Sequence, residues 1–342
     1  MVTSHEVARL AGVSQPTVSR ALRDDPKVSA DTKRRVREAA SALGYVPSLT
    51  GRALSVGRSH RVGLLLTDLE NQFYPHVIAA MHHALEERGY QLVLITESSE
   101  AGSVADRIVA HGLDGVLLAT TTVDSLLPVR LRDRGVPFVY FNRTASAVEA
   151  DSVTVDPRDG VRALVAELVD LGHTEVAAIF GPRNTSTGEG REACTRELLE
   201  AAGLALPARR VRHGPFDFAT GHAGAHALLT VEPRPSVLLC GNDVVALGAL
   251  NAAAELGVAV PDQVSVVGFD DLPTSSWALI QLTTVAFDLG AMSREAARLL
   301  VDRIEGRAEP ARRQVVFPTT FRRRRTLAAT ARTPSSVTPA RP

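Results

Sequence analysis

Basic side chains are concentrated at the start of this 342-residue chain, whose formal net charge is zero. Residues 1–60 contain five acids and ten bases, the bases being Arg9, Arg20, Arg23, Lys27, Lys33, Arg34, Arg35, Arg37, Arg52 and Arg58. A basic excess that is confined to one short segment favours a polyanion as the partner of that segment. These groups can act together only if the segment folds into a unit that holds them on its surface.

The first helix and the turn after it can be read from five residues. Thr3 and Glu6 have the spacing of a capping box. Val7 and Ala11 lie one helical turn apart and can face a common core. Gly12 can adopt the left-handed conformation that ends a helix and begins a tight turn.

Two more helices complete this headpiece. Ser14 is placed to cap the second helix, and Pro16 is tolerated in its first turn. The third is predicted from a Ser29 cap to Gly44. The expected buried positions are Val13, Val18, Ala21, Val36, Ala39, Ala40 and Leu43. Any two-helix hairpin with a glycine turn has part of this pattern, but the basic excess and the third helix favour a helix-turn-helix, which places its second helix in the DNA major groove.

The composition indicates a globular protein of two or three domains. Hydrophobic residues make up 45% of the chain, which is ample for packed cores. Cys194 and Cys240 are far apart and lack metal-ligand spacing, which favours a reduced compartment over a disulfide framework. Neither a signal segment nor a membrane-spanning apolar run is evident. We therefore expect a cytoplasmic protein with no membrane partner, no metal site and no cofactor.

From Arg61 onward, apolar strands alternate with helical patterns. Strands are predicted at residues 62–66, 91–95, 115–118, 138–141, 152–155, 176–180, 210–213, 236–240, 264–269 and 314–317, and helices at 74–89, 104–111, 157–171, 191–202, 220–229, 244–256 and 289–304. This alternation predicts an α/β fold with parallel sheets and right-handed crossovers. The number of strands favours two similar lobes over one sheet.

The expected organisation has five parts. They are a headpiece at 1–46, a hinge helix and linker at 47–60, a first lobe at 61–156 and 288–318, a second lobe at 157–287, and a tail at 326–342. The tail is rich in Pro, Ser, Thr and Ala and is predicted to be disordered.

The chain resembles the LacI/GalR family of bacterial transcriptional regulators. The motifs that carry the resemblance are the helix-turn-helix, Gly44-Tyr45-Val46-Pro47, Arg52-Ala53-Leu54, Asn71-Gln72-Phe73-Tyr74, Leu171-Gly172-His173, Gly181-Pro182, Gly241-Asn242-Asp243, Val266 to Asp271 and Leu282 to Val285. The resemblance implies lobes like those of periplasmic binding proteins, a homodimer and a headpiece for pseudo-palindromic operator DNA. It also implies a repressor, not an enzyme, whose operator affinity is controlled allosterically by a small molecule, a sugar or related metabolite, bound between the lobes.

The resemblance assigns DNA contacts to the headpiece and hinge. Gln15, Pro16 and Arg20 are expected at the base edges, where arginine can bind guanine through two hydrogen bonds. Gln15 pairs with adenine or reaches a phosphate instead, and Pro16 contacts a thymine methyl or no base. Ser14, Thr17 and Ser19 are expected to contact phosphates, with a solvated helix face as the alternative for Thr17 and Ser19. Further expected contacts are Tyr45, which combines packing with a phosphate-facing hydroxyl, Arg52, and Leu54 as an apolar wedge in the minor groove.

The resemblance also assigns effector contacts to eight residues. Arg191, at the start of a helix, is the expected ligand-gripping group, with Asp270 as its carboxylate partner. The other expected contacts are Phe73, Tyr74, Asn142, Thr187, Phe216 and Asn242, where the aromatic residues could instead be ordinary core. Asn142 replaces an acid that is frequent in sugar-binding relatives, and Asp243 is expected to cap the following helix.

Two other protein classes fit less well. The stretch Gly188 to Ala193 resembles a dinucleotide-binding fingerprint, but it begins too far after the preceding strand to form a strand–helix turn. His82 and His83 are adjacent and poorly placed to chelate one ion from a helix, and His173 is expected to satisfy backbone groups. A transport solute-binding protein would share the lobes but have no headpiece. The run Arg322 to Arg325 is expected to be a solvated chain end.

Overall fold

The computed structural model describes residues 2–22, 24–45, 58–67, 69, 71–96 and 104–330. The chain divides into two compact units, the first ending at His60 and the second beginning at Arg61. The predicted hinge contacts Arg52 and Leu54 lie outside the described residues, as do residues 331–342 of the tail. None of the described helices is long and apolar enough to cross a membrane.

The first unit contains the three predicted helices, α1 Ser4–Ala11, α2 Gln15–Leu22 and α3 Ala30–Ala42. The capping box of Thr3 and Glu6 is confirmed, and Gly12 ends α1 with a left-handed φ of 63°. The Ser29 hydroxyl accepts from the Thr32 N–H at the start of α3. The buried core is Val7, Ala8, Ala11, Val18, Ala21, Val36, Ala39 and Ala40, whereas Val13 and Leu43, predicted to be buried, pack against it only partly buried. Small side chains at these positions let three short helices approach closely.

The first lobe of the second unit is a six-stranded sheet with the order β11-β5-β4-β3-β1-β2. Its strands are β1 Arg61–Leu66, β2 Gln91–Thr96, β3 Gly115–Leu118, β4 Phe138–Phe141, β5 Ser152–Val155 and β11 Gln314–Phe317. All its strand pairs are parallel. Its helices are α4 Phe73–Glu86, α5 Val104–Ala110, α6 Leu127–Asp133 and α11 Leu289–Ile304. The sequence analysis did not predict the short helix α6.

The second lobe has the same plan, with the strand order β12-β10-β9-β8-β6-β7. Its strands are β6 Val176–Phe180, β7 Val211–His213, β8 Val237–Cys240, β9 Ser265–Asp270, β10 Thr283–Ala286 and β12 Thr320–Arg322. Its helices are α7 Arg158–Asp170, α8 Ser186–Ala201, α9 Phe218–Leu229 and α10 Asp243–Glu255, with short 3-10 helices at Ala208–Arg210 and Pro273–Ser276. Only the β10–β12 pair is antiparallel among the described strand pairs.

Three chain crossings join the lobes, after β5, after β10 and between β11 and β12. The carboxyl ends of both sheets border one cleft, since Asn142 after β4, Asn242 after β8 and Asp270 at the end of β9 line the same cavity. Helix α11 and strand β11 return to the first lobe as predicted, with β11 paired to β5.

The expectation of disorder from residue 326 is wrong for residues 326–330. Thr326 and Leu327 are 5% and 3% exposed. The Thr326 hydroxyl donates to the Val266 carbonyl at 2.6 Å, and the Val266 N–H donates to the Thr326 carbonyl at 2.8 Å. Composition gave no sign of this order, because it depends on backbone groups of β9 that lie far away in the sequence.

In the run before this segment, Arg322, Arg323 and Arg325 are exposed, as expected for solvated side chains, but two of the arginines also anchor the chain. Arg323 forms an ion pair with Glu167. Arg324 forms an ion pair with Asp271 at 2.6 Å and also donates to the Leu282 carbonyl at 2.8 Å. The arginine run therefore fastens the end of the chain to the second lobe.

Candidate DNA-binding and effector-binding sites

The predicted recognition helix α2 presents polar side chains outward. Val18 and Ala21 are buried, whereas Ser14, Pro16 and Arg20 are exposed and Gln15, Thr17 and Ser19 are half-buried. This division follows the helical period and leaves all six predicted contact residues with accessible surface. The Arg20 guanidinium forms no hydrogen bond or ion pair with the described residues, so it is available to a base edge or a phosphate.

The remaining headpiece predictions have specific local partners. Ser14 precedes α2, and its hydroxyl lies 2.8 Å from the Thr17 hydroxyl, while its carbonyl accepts the Thr17 N–H. Gln15 donates to the Ser4 hydroxyl at 3.3 Å. Tyr45 is half-buried and packs against the headpiece core.

All eight predicted effector residues line one narrow cavity between the two lobes. Its lining is Asn71, Phe73, Tyr74, Asn142, Arg143, Thr187, Arg191, Phe216, Asn242 and Asp270. The first lobe supplies the start of α4 and the end of β4, and the second supplies α8, the loop after β7, and the ends of β8 and β9. Residues separated by almost 200 positions meet because the strand ends of both sheets face the same cleft.

A buried ion pair between Arg191 and Asp270 forms the centre of this site. Arg191 Nη2 donates to Asp270 Oδ1 at 2.9 Å, and Nη1 donates to the Gly241 carbonyl at 2.7 Å. The guanidinium carbon lies 3.8 Å from the centre of the Phe269 ring. Burial raises the pKa of Asp270 to about 6, an effect that the facing Arg191 opposes. The pair leaves the outer Asp270 oxygen as an acceptor for a ligand hydroxyl.

The local geometry corrects two expectations for this region. Helix α8 begins at Ser186, where Thr185 caps it by accepting from the Gly188 N–H, so Arg191 lies in the second turn and not at the start. Asn242, not Asp243, caps α10, with its side-chain oxygen accepting from the Val245 N–H at 2.9 Å. Asn242 also lines the narrow cavity.

Asp270 and Asp271 form a strained turn at the edge of the site. Their φ angles are 118° and 57°, in the region that residues other than glycine rarely adopt. Arg191 binds the first carboxylate and Arg324 the second. Two charged partners therefore hold this turn in place, one within the cleft and one from the C-terminal segment.

Sequence reasoning missed two residues of the cavity, Asn71 and Arg143. Asn71 Nδ2 donates to the Phe216 carbonyl at 2.5 Å and thereby bridges the two lobes. Arg143 lies with its guanidinium carbon 5.7 Å from the centre of the Phe216 ring. Asn71 belongs to the quoted Asn71-Gln72-Phe73-Tyr74 motif, which offered a signal, whereas Arg143 had none beyond following Asn142.

A larger cavity of about 300 Å³ adjoins the first and shares Asn142, Thr187 and Arg191 with it. Neutral hydroxyl and amide groups dominate its polar lining, namely Thr144, Ser152, Thr154, Ser186 and Gln314. Two buried oxygens of the shared residues, Asn142 Oδ1 and Thr187 Oγ1, have no hydrogen-bond partner among the described residues. The cleft can therefore offer hydrogen bonds to a ligand that is rich in hydroxyl groups.

One group of possible metal ligands lies on the surface of α4. His82, His83 and Glu86, all exposed on α4, place ligand atoms within 4.8 Å of one another. Solvent-exposed groups of this kind often lie close together without an ion, and α4 provides no enclosure for one.

The chain is similar to known proteins over nearly its whole length. Residues 3–48 match the domain of bacterial regulatory proteins of the lacI family, and residues 165–327 match a periplasmic-binding-protein-like domain. The HTH-type transcriptional regulator CelR of Thermobifida fusca is 35% identical over 320 residues, covering 91% of this chain and 94% of CelR.

Two solved structures are also similar to this chain over nearly its whole length. A CelR–cellobiose complex is 33% identical with a TM-score of 0.71, covering 96% of this chain and 100% of that one. The lac repressor dimer bound to operator and the anti-inducer ONPF is 26% identical with a TM-score of 0.84, covering 96% of this chain and 99% of that one.

A helix-turn-helix followed by two lobes around a polar cleft defines a DNA-binding regulator with a ligand-binding domain. The chain belongs to the LacI family of bacterial regulatory proteins and is a transcriptional regulator.

Proposed function

We propose that this protein is a homodimeric repressor in the bacterial cytoplasm, and that a sugar bound between its lobes controls its affinity for a pseudo-palindromic operator. The observation that carries the proposal is the meeting of all eight predicted effector residues at one cleft in a chain that also has a helix-turn-helix. The relatives support it, since CelR is described in complex with cellobiose and the lac repressor dimer is described on its operator.

The chemistry of the cleft favours a sugar over an apolar metabolite. Sugars need planar groups that form paired hydrogen bonds, and apolar plates for their C–H faces. Arg191 and Asp270 supply the first, and Phe73, Phe216 and Phe269 can supply the second. The larger cavity of about 300 Å³ is at the lower end of the size of ligand pockets.

On the DNA side, the proposal assigns base contacts to Gln15, Pro16 and Arg20 and phosphate contacts to Ser14, Thr17, Ser19 and Tyr45. Arg52 and Leu54, outside the described residues, stay predicted hinge contacts. Operator affinity should fall steeply with salt, because phosphate contacts release counterions. Sugar affinity should hardly change with salt.

Fluorescence anisotropy on duplexes from the region upstream of the protein's own gene tests the proposal. The full chain is titrated with and without the sugar that stabilises it most in a thermal-shift screen that includes cellobiose. Operator and sugar must change each other's affinity by the same factor, typically about 5–150-fold. Failure to bind any such duplex at low ionic strength, with every sugar tested, would remove the proposal.

The variant Arg191→Lys tests sugar binding separately from operator binding. Lysine keeps the charge beside Asp270 but loses the fork that binds two acceptors. We expect sugar affinity to fall roughly 10–100-fold, the loss of one or two charged hydrogen bonds, while operator binding without sugar is retained. Arg162→Lys, on the exposed face of α7, is the matched control and should leave both affinities unchanged.

A further inference from the structure

A separate cavity of about 250 Å³ lies on the second lobe, away from the effector cleft. It is enclosed by the C-terminal end of α9, the beginnings of β6 and β7, and the loop around Pro233. The effector cleft lies at the carboxyl ends of the same two strands, where Phe216 follows β7. The two cavities therefore lie at opposite ends of β6 and β7, and a ligand in one cavity does not contact a ligand in the other.

Three arginines line this cavity, and they outnumber the two acids beside them, Glu175 and Glu232. Arg209 is exposed, and its side chain forms no hydrogen bond or ion pair with the described residues. Arg212 Nη1 donates only to main-chain carbonyls, those of Arg209 and Val211, each at 2.9 Å. Glu232 is the one acid among the lining residues. The lining thus has an excess of positive charge, which attracts an anion.

Arg210 is the most informative of the three. It is 8% exposed. Its Nη2 forms an ion pair with Glu175 and donates to the Pro233 carbonyl at 3.0 Å. Its Nη1 has no hydrogen-bond partner among the described residues. A buried donor without a partner is unfavourable, so an acceptor that reached this nitrogen would be bound favourably.

We propose that this cavity is a binding site for a small organic phosphate. Guanidinium forks match phosphate oxygens, which can accept several charged hydrogen bonds at once. The other walls are apolar, being formed by Ala177, Leu228, Val231 and Pro235. The phosphate group lies against the arginines, and a ring or short chain attached to it packs against these walls. This site does not depend on the identity of the cleft ligand.

Calorimetric titration of the full chain with phenyl phosphate tests the proposal, at constant ionic strength and with benzyl alcohol as the uncharged counterpart. The double variant Arg209→Gln/Arg212→Gln removes two rim charges without breaking an ion pair that the structure shows. Arg130→Gln/Arg132→Gln on α6 removes the same charge from the exposed face of the first lobe. We expect saturable binding by the wild type and an affinity at least about tenfold lower in the first variant, equivalent to about 1.4 kcal/mol, with no change in the second.

Four results would contradict the proposal of a phosphate site in this cavity. They are no saturable binding of phenyl phosphate, equal binding of benzyl alcohol, an unchanged affinity in Arg209→Gln/Arg212→Gln, or an equal loss in both double variants. Binding to the basic headpiece would give the third result, because the rim substitutions leave the headpiece unaltered. Arg210→Lys is the supporting variant. It keeps a charge beside Glu175 but loses the second nitrogen, and it should also weaken binding.

Discussion

Asp243 is a buried acid whose ionisation should control how stability depends on pH. It is 0% exposed, at the first position of α10. One oxygen accepts from the Leu272 N–H at 2.8 Å and the Ser275 hydroxyl at 2.6 Å, and the other accepts from the Thr284 hydroxyl at 2.6 Å. Burial and the nearby charge of Asp270 raise the pKa of Asp243 from 3.8 to about 7, against the effect of the three donors.

The sign of the effect follows from the direction of this pKa shift. Between pH of about 4 and 7, the folded protein holds a proton on Asp243 that the unfolded chain has released. Raising the pH through this range therefore lowers the free energy of unfolding. The shift is about three pKa units, which corresponds to about 4 kcal/mol when the range has been crossed.

Asp243→Asn should remove this pH dependence. An amide can keep the contacts, because its oxygen can accept from Leu272 and Ser275 while its nitrogen donates to the Thr284 hydroxyl. The variant stays neutral at every pH. Relative to the wild type, its free energy of unfolding should therefore rise by up to about 4 kcal/mol between pH 4 and pH 8.

Urea unfolding at intervals of half a pH unit between pH 4.5 and 8 measures this difference. Asp133→Asn, an exposed acid on α6, controls for the loss of one carboxylate and should follow the wild-type profile. Parallel profiles for the wild type and Asp243→Asn would refute the reasoning. They would mean that the three donors keep Asp243 ionised within the fold.

Three further predictions concern other parts of the chain. Ser29→Ala removes the cap of α3 and should lower the free energy of unfolding of the headpiece by about 1 kcal/mol, and an unchanged urea midpoint would contradict this. Gly221→Ala should lower the free energy of unfolding of the second unit by about 1–3 kcal/mol, because a Cβ there would overlap the Val245 carbonyl. An unchanged melting temperature would contradict the close approach of α9 and α10. Arg324→Ala should weaken binding of the cleft sugar about tenfold, since it frees the strained turn at Asp271. Arg323→Ala is its control, and equal sugar affinities in the two variants would remove that role.

The parts of the fold that could be predicted depend on local signals. Thr3, Glu6 and Gly12 act within one or two helical turns, so their types and spacing define α1 and its end. Alternating apolar strands and helices also predict a parallel sheet, because each strand buried on both faces reads as a continuous apolar run. Strand β3 Gly115–Leu118 has its predicted boundaries and is buried along its whole length.

The features that could not be predicted depend on partners far away in the sequence. Asn71 contacts the Phe216 carbonyl across 145 positions, and Thr326 pairs with Val266 across 60. The start of α8 at Ser186 was missed because two glycines within its first turns lower helix propensity. The eight cleft residues were found through the family resemblance, whereas physical reasoning from the sequence alone had no means of bringing Asn142 and Asp270 together.

The closeness of the lobes explains how a ligand in this cleft can affect the whole domain. The cavity between Asn71 and Asp270 measures about 20 Å³, which is room for about one water molecule. Hydrogen bonds join the lobes directly, from Asn71 to the Phe216 carbonyl and from the Thr144 N–H to the Ser186 hydroxyl at 3.0 Å. Asp270 and Phe216 line only this narrow cavity, so a sugar ring can reach them only if the lobes separate and these bonds are replaced by bonds to the ligand. The sugar must therefore bind one lobe arrangement better than the other, and such a difference in affinity is what a ligand needs to shift a conformational equilibrium.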